Sequence, residues 1–245
     1  MFALYKKELA SFFSSLMGYL TIIVFLVLTG IMLWVFRSGF NILDYGYAGI
    51  DGLFFIGPFL YLFLIPAITM RMFAEEKRNG TIELLLTKPL SDFNIIFAKF
   101  LAGLTLVFIS ILPTLVYYFT VYAMGDPVGN IDTGGVIGSY IGLLFLGGAF
   151  VSIGLFASSL TNNQIVAFII AALLCAFCYL GFESVYNMNF LGNVGLFIKG
   201  LGIQHHYESI SRGVVDSRDV IYFLSVITLF IMGTRLVLQS RKWQK

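Results

Sequence analysis

The charged side chains of this sequence gather in one place. Arg71, Glu75, Glu76, Lys77, Arg78, Glu83, Lys88, Asp92 and Lys99 all fall within residues 70–100, although only 11% of the 245 residues carry charge. At a bilayer centre each would cost about 2.5–3.5 kcal/mol, so this stretch is expected to face water as a loop between two membrane spans. Function is expected to concentrate there. Other residues with chemical potential are few. Cys175 and Cys178 share a helix face at i, i+3, a spacing open to a redox or metal pair but expected here to serve packing on a neighbouring helix. His205 and His206 are adjacent and point in different directions on any helix or strand, which argues against a shared metal. With Glu208 and Asp216 they leave room for a membrane-embedded enzyme, against which stands the lack of recurring polar pairs inside the apolar runs. The phosphate-cradling Gly-x-x-x-x-Gly-Lys-Ser/Thr motif does not occur, nor do His-Glu-x-x-His and Gly-x-Ser-x-Gly. The chain is therefore not expected to hydrolyse ATP alone, or to hold a catalytic or metal site.

The elements that position the charged stretch can be read from its punctuation. Lys77, Arg78 and Asn79 followed by Gly80 make a basic last turn and a residue free to take positive φ, so a helix is expected to stop there. Thr81 is expected to cap a short second helix with Glu83 near its positive end and Ile82, Leu85 and Leu86 on one face, ended by Pro89. Ser91 before Asp92 reads as the N-cap of the next helix. A compact helical knuckle outside the membrane is the expectation.

Composition sets the class. The chain is 59% hydrophobic with a mean hydropathy of +0.92, which marks an integral membrane protein. Its net charge of +2 is spread among loops and suggests no nucleic-acid partner. The expected fold is all-α and a single transmembrane domain over residues 1–245. Residues 1–16 form an interfacial helix with Phe2, Tyr5, Leu9, Phe12, Phe13 and Leu16 on one face, and spans lie near 17–36, 52–70, 98–123, 136–160, 164–182 and 220–238. The polar break at 158–164 is read as the tight turn between spans four and five.

Charge asymmetry sets orientation. One side carries Lys6, Lys7, Arg71, Lys77, Arg78, Lys88, Lys99, Arg235, Arg241, Lys242 and Lys245; the other has only Arg37, Lys199, Arg212 and Arg218. Both termini and the 71–99 loop are expected in the cytoplasm. Gly134, Gly138 and Gly142, and likewise Ala167, Ala171 and Cys175, form smooth faces for close packing, either within the subunit or in a dimer. Pro58, Pro66 and Pro113 are expected to bend their spans. The glycine-rich apolar piece at 190–203 is too short to cross, so it reads as an interfacial or re-entrant element that neighbouring spans or a partner must cover, and as part of an external gate with Leu196, Gly200 and Leu201. Glu208 and Arg212, at i, i+4, are expected to pair.

The string Glu-Glu-Lys-Arg-Asn-Gly-Thr-Ile-Glu-Leu-Leu-Leu-Thr-Lys-Pro-Leu-Ser at 75–91, with Lys99 beyond it, resembles the cytoplasmic loop of permeases in the type-2 ABC exporter family. The likeness extends to Ser-Ser-Leu-Thr-Asn-Asn-Gln after span four and to the Arg-Gly-Val-Val-Asp-Ser-Arg-Asp-Val approach to span six. Within that family it is narrowest to gliding-motility permeases. The resemblance implies a separate ATPase subunit as partner, a second permease copy or second membrane subunit, surrounding lipid, and a multi-pass place in the bacterial inner membrane. ATP and Mg would belong to the ATPase, with no cofactor in this chain. It further implies that residues 75–86 transmit ATPase closure, with Glu75, Glu76, Arg78, Gly80, Thr81, Glu83 and Leu86 as coupling residues. An alternative is a scaffold that binds the ATPase without transporting anything.

Overall fold

The computed structural model describes residues 1–37, 39–44, 46–86, 91–187 and 192–240, with the side chains of 84–86 and 192–194 outside that description. Every regular element among them is helical: α1 (Phe2–Ser14), α2 (Leu16–Trp34), α3 (Asp51–Arg78), α4 (Thr81–Leu86), α5 (Asp92–Ile111), α6 (Leu115–Met124), α7 (Thr133–Leu160), α8 (Gln164–Ala176), α9 (Phe182–Asn187), α10 (Gly192–Lys199), α11 (Ile203–Ser211) and α12 (Ser217–Ser240). A 3-10 turn, Leu112–Thr114, joins α5 to α6, and a π-helical segment, Phe177–Gly181, joins α8 to α9. Six of the resulting stretches are long and apolar enough to cross a membrane: Leu16–Trp34, Asp51–Arg78, Asp92–Met124, Thr133–Leu160, Gln164–Asn187 and Ser217–Ser240.

The helices outlast the apolar runs. At 1.5 Å per residue the 28 residues of α3 extend about 42 Å, roughly two turns more than a hydrocarbon core of about 30 Å needs. Arg71 to Arg78 are therefore a helical stalk on span two, not loop, because Glu, Lys and Arg are good helix formers in water. The same holds at the start of α5, where Ser91 caps the helix by accepting from Asn94 N at 3.2 Å. Hydropathy ends the span there without ending the helix. Pro58 and Pro66 lie inside α3, which stays helical through both, whereas Pro113 sits in the 3-10 turn that divides span three.

The axis of the bundle is α7, packed by α3, α5, α8, α11 and α12. Glycines let those neighbours approach. A Cβ on Gly154 would come 2.0 Å from Thr69 Oγ1, one on Gly147 2.6 Å from Val107, and one on Gly142 2.9 Å from Ile210. Gly138 meets Gly213, which has φ +89°. The smooth face of α7 thus serves packing within the subunit, though Gly134 touches only its neighbour Asp132. Ala167, Ala171 and Cys175 are fully buried on α8, which packs on α3 and α7.

Contacts along α7 fix the directions of the crossings. Gly57 meets Leu143 near one end of α3 and Thr69 meets Gly154 near the other, so α3 and α7 run parallel, as spans two crossings apart must. Gly52 lies on Leu33, Gly103 lies between Val151 and Met72, and Phe156 packs on Phe230. Successive crossings alternate. They place α1 and the end of α12 at the Arg78 end of α3.

Two segments pack otherwise than their sequence suggests. On α1 the buried residues are Leu4, Glu8 and Phe12, while Phe2 and Leu16 are exposed, because the helix lies against α5 and α2. Leu196, Phe197 and Leu201 are 66%, 71% and 45% exposed, so the spans of this chain leave these side chains of the 190–203 piece uncovered, while Gly195, Gly202 and Ile203 are buried. Its described part, α10, satisfies its backbone as a helix and removes the cost on which that expectation rested; Phe190 lies outside the described residues. It is α11 that packs inward, burying Ile203, Tyr207 and Ile210, with the Tyr207 hydroxyl donating to Phe54 O at 2.6 Å.

Candidate functional site

At its end α3 turns as the sequence requires. Asn79 N donates to Glu75 O at 3.0 Å, Gly80 N to Lys77 O at 3.2 Å, and Gly80 takes φ +70°. The turn sends the chain into α4. Thr81 is its first residue, with a hydroxyl that donates back to Glu76 O at 3.4 Å, and Ile82 anchors the helix by being buried. Arg78, Gly80, Thr81 and Glu83 are exposed. Leu86 closes α4 with its side chain outside the description, while Lys88 and Pro89 lie outside the described residues.

Adjacent glutamates part company here. Glu75 Oε2 takes Arg71 Nε at 2.9 Å on the partly exposed flank of α3. Glu76 turns inward, its Oε1 2.9 Å from Lys99 Nζ, which lies 3.1 Å from Glu8 Oε1 on α1. Lys7 completes the cluster at 3.7 Å from both carboxylates. The Lys99 side chain is 1% exposed, contrary to the expectation of a water-facing lysine, with its ammonium 5.2 Å from the centre of the Phe73 ring. Two lysines against two glutamates make the group neutral, and the two close carboxylates offset the desolvation that a lone buried ammonium would suffer. A cavity of about 180 Å³ borders it, lined by Lys7, Arg71, Glu75 and Asn79 among others.

The polar break after α7 also reaches this place. Ser158 Oγ accepts from Phe73 N at 3.0 Å and Ala74 N at 3.1 Å and donates to Met70 O at 3.0 Å, which uses the full capacity of a hydroxyl. The Lys77 ammonium donates to Ser159 O. Asn163 then caps α8 by accepting from Ile165 N at 2.9 Å. The segment is a turn, as expected, and also a clamp on the stalk. Sequence reasoning missed Lys7, Glu8, Ser158 and Ser159 as members of this site, and included Lys99 in the charged stretch as a water-facing residue. Two signals pointed there: Glu8 in step with Leu4 and Phe12, and Lys99 flanked by the buried Ile96, Ala98, Phe100 and Ala102.

Beneath α4, helices α1, α3, α5 and α7 are thus joined by ion pairs and saturated hydrogen bonds. Three of these four helices belong to spans.

The opposite end holds two cavities, of about 740 and 520 Å³, that share Asp51, Ser211 and Arg212. The smaller is walled by Phe54, Phe55, Phe59 and Tyr179. Glu208 accepts from Gln204 Nε2 at 2.8 Å; Arg212 is the residue that caps the end of α11, and the expected pairing of the two gives way to the Gln204 bond. Gly200 O accepts from His206 Nε2 at 2.9 Å, and Leu196 and Leu201 flank that turn on the surface. Cys175 and Cys178 are free thiols, and the described residues form no cluster suited to a metal.

This architecture is that of a multi-pass membrane subunit with a buried polar node at one end. A family model described as ABC-2 family transporter protein matches residues 2–238, and the chain belongs to that family. Its members are membrane subunits of ABC transporters, with the ATPase on a separate protein. No curated protein gave a significant match to the chain.

Proposed function

We propose that this chain is the permease subunit of an ABC exporter in the bacterial inner membrane, with both termini cytoplasmic, and that it serves a gliding-motility complex as the permease GldF does. The observation that carries the reading is the node beneath α4, where α1, α3, α5 and α7 meet behind an exposed, charged helical knuckle. Closure of a partner ATPase on ATP and Mg would push Arg78, Gly80, Thr81, Glu83 and Leu86, and Glu75 and Glu76 would pass the load into the bundle. A second permease copy, or a second membrane subunit, would complete the path across the lipid. The turn at Gly200 with Leu196 and Leu201 would gate its far end.

Glu75→Ala combined with Arg78→Ala tests the coupling. Both positions lie on the stalk outside the apolar core, so the chain should insert and fold. Affinity for the co-purified ATPase, measured in detergent, should fall about tenfold, as loss of two charged interface contacts would give. ATP-driven transport in vesicles should fall with it. Unchanged affinity together with full transport would reduce the knuckle to a connector.

A further inference from the structure

We propose that His206 and Asp219 form a proton-binding site that latches the α10–α11 turn to the start of α12. His206 Nδ1 lies 2.7 Å from Asp219 Oδ1, and Nε2 lies 2.9 Å from Gly200 O. A backbone carbonyl can only accept, so Nε2 carries a hydrogen. The short contact at Nδ1 needs a second proton, whether it rests on nitrogen or oxygen. The pair therefore holds one proton more than a neutral imidazole beside a carboxylate. Without it, one of the two contacts sets a lone pair against an acceptor, and Asp219, 5% exposed with Oδ2 lacking a hydrogen bond, keeps a buried charge with no cation.

The site binds the turn mechanically. Tyr222 stacks on the His206 ring at 3.8 Å, and its hydroxyl donates to Leu201 O at 2.6 Å. Leu201 O is thus tied to α12 directly and Gly200 O through His206, the second tie dependent on the proton. Other polar groups nearby are engaged elsewhere or uncharged. Lys199 pairs with Glu183 at 3.4 Å, Glu208 accepts from Gln204, and Asp216 accepts from Arg218 N. Cys178 approaches Tyr222 from the π-helical segment, and the His205 ring stands 5.4 Å away on α11. The latch is closed when the pair holds its extra proton and opens as rising pH removes it.

The test uses the full chain in lipid nanodiscs, with Cys175→Ala and Cys178→Ala. A water-soluble thiol reagent reports on Leu201→Cys, and Val214→Cys, at a 65% exposed position, corrects for the reactivity of the thiol itself. From an acidic to an alkaline buffer, the corrected labelling rate should rise about fivefold or more. His206→Gln should label fast at both ends of the range. Asp219→Asn should label slowly at both, because an amide can present either its donor or its acceptor to Nδ1. His205→Gln should keep the rise. A flat profile in the parent, a rise that survives His206→Gln or Asp219→Asn, or one lost with His205→Gln would overturn the assignment.

Discussion

Lys99 holds its charge where water does not reach because two carboxylates lie within 3.1 Å of it. Removing the ammonium alone would leave Glu8 and Glu76 facing each other across a nearly dry site, with only the peripheral Lys7 between them. Lys99→Met should therefore lower stability by about 3 kcal/mol, the usual scale for breaking a buried pair at one partner. Thermal unfolding in detergent measures it. Adding Glu8→Gln and Glu76→Gln should recover most of the loss, since no uncompensated charge remains. A Lys99→Met chain as stable as the parent would mean that the cluster is hydrated and bears no structural load. This is also where sequence reading was weakest. A charge beside an apolar run reads as facing water, and only the fold brings Glu8 to Lys99.

Whole elements were more legible, because periodicity and caps are local. The stop at Gly80, the cap at Ser91, the break at 158–164 and the close-packing faces of α7 and α8 are all present. Hidden were the choice of what fills such a face and the length of the helices past the apolar runs. The glycines of α7 receive α3, α5 and α11 of the same chain, which no spacing rule specifies. Nor did hydropathy distinguish α10, left on the surface, from α11, buried on α7. That distinction sharpens the gate proposal. Leu196 and Leu201 are exposed in the single subunit, so they are free to meet a partner permease. Leu196→Cys and Leu201→Cys, without Cys175 and Cys178, should label at different rates in nucleotide-free and ATP-trapped complexes. Equal, fast labelling of both sites in both states would place the segment permanently in water with no gate there.

For the whole molecule, an even number of alternating crossings brings both ends of the chain to one side. The ion pairs of Lys7 and Glu8 with Glu76 and Lys99 put α1 at the Arg78 end of α3, and the packing of Phe156 on Phe230 carries α12 to the same end. The cytoplasmic placement we propose for that side rests on charge. Among the described residues, Lys6, Lys7, Arg71, Lys77, Arg78, Lys99 and Arg235 belong to that end, against Arg37, Lys199, Arg212 and Arg218 at the other. Bilayers retain such loops on the cytoplasmic face. A phosphatase that matures only outside the cytoplasm should accordingly be inactive when fused after Ser240 and active when inserted near Val128 or Val214, both exposed on the opposite end. A fluorescent protein that matures only inside should give the reverse pattern. Phosphatase activity after Ser240 would mean an odd number of crossings or an inverted chain, and would also place the α4 knuckle out of reach of any ATPase that draws on cytoplasmic ATP.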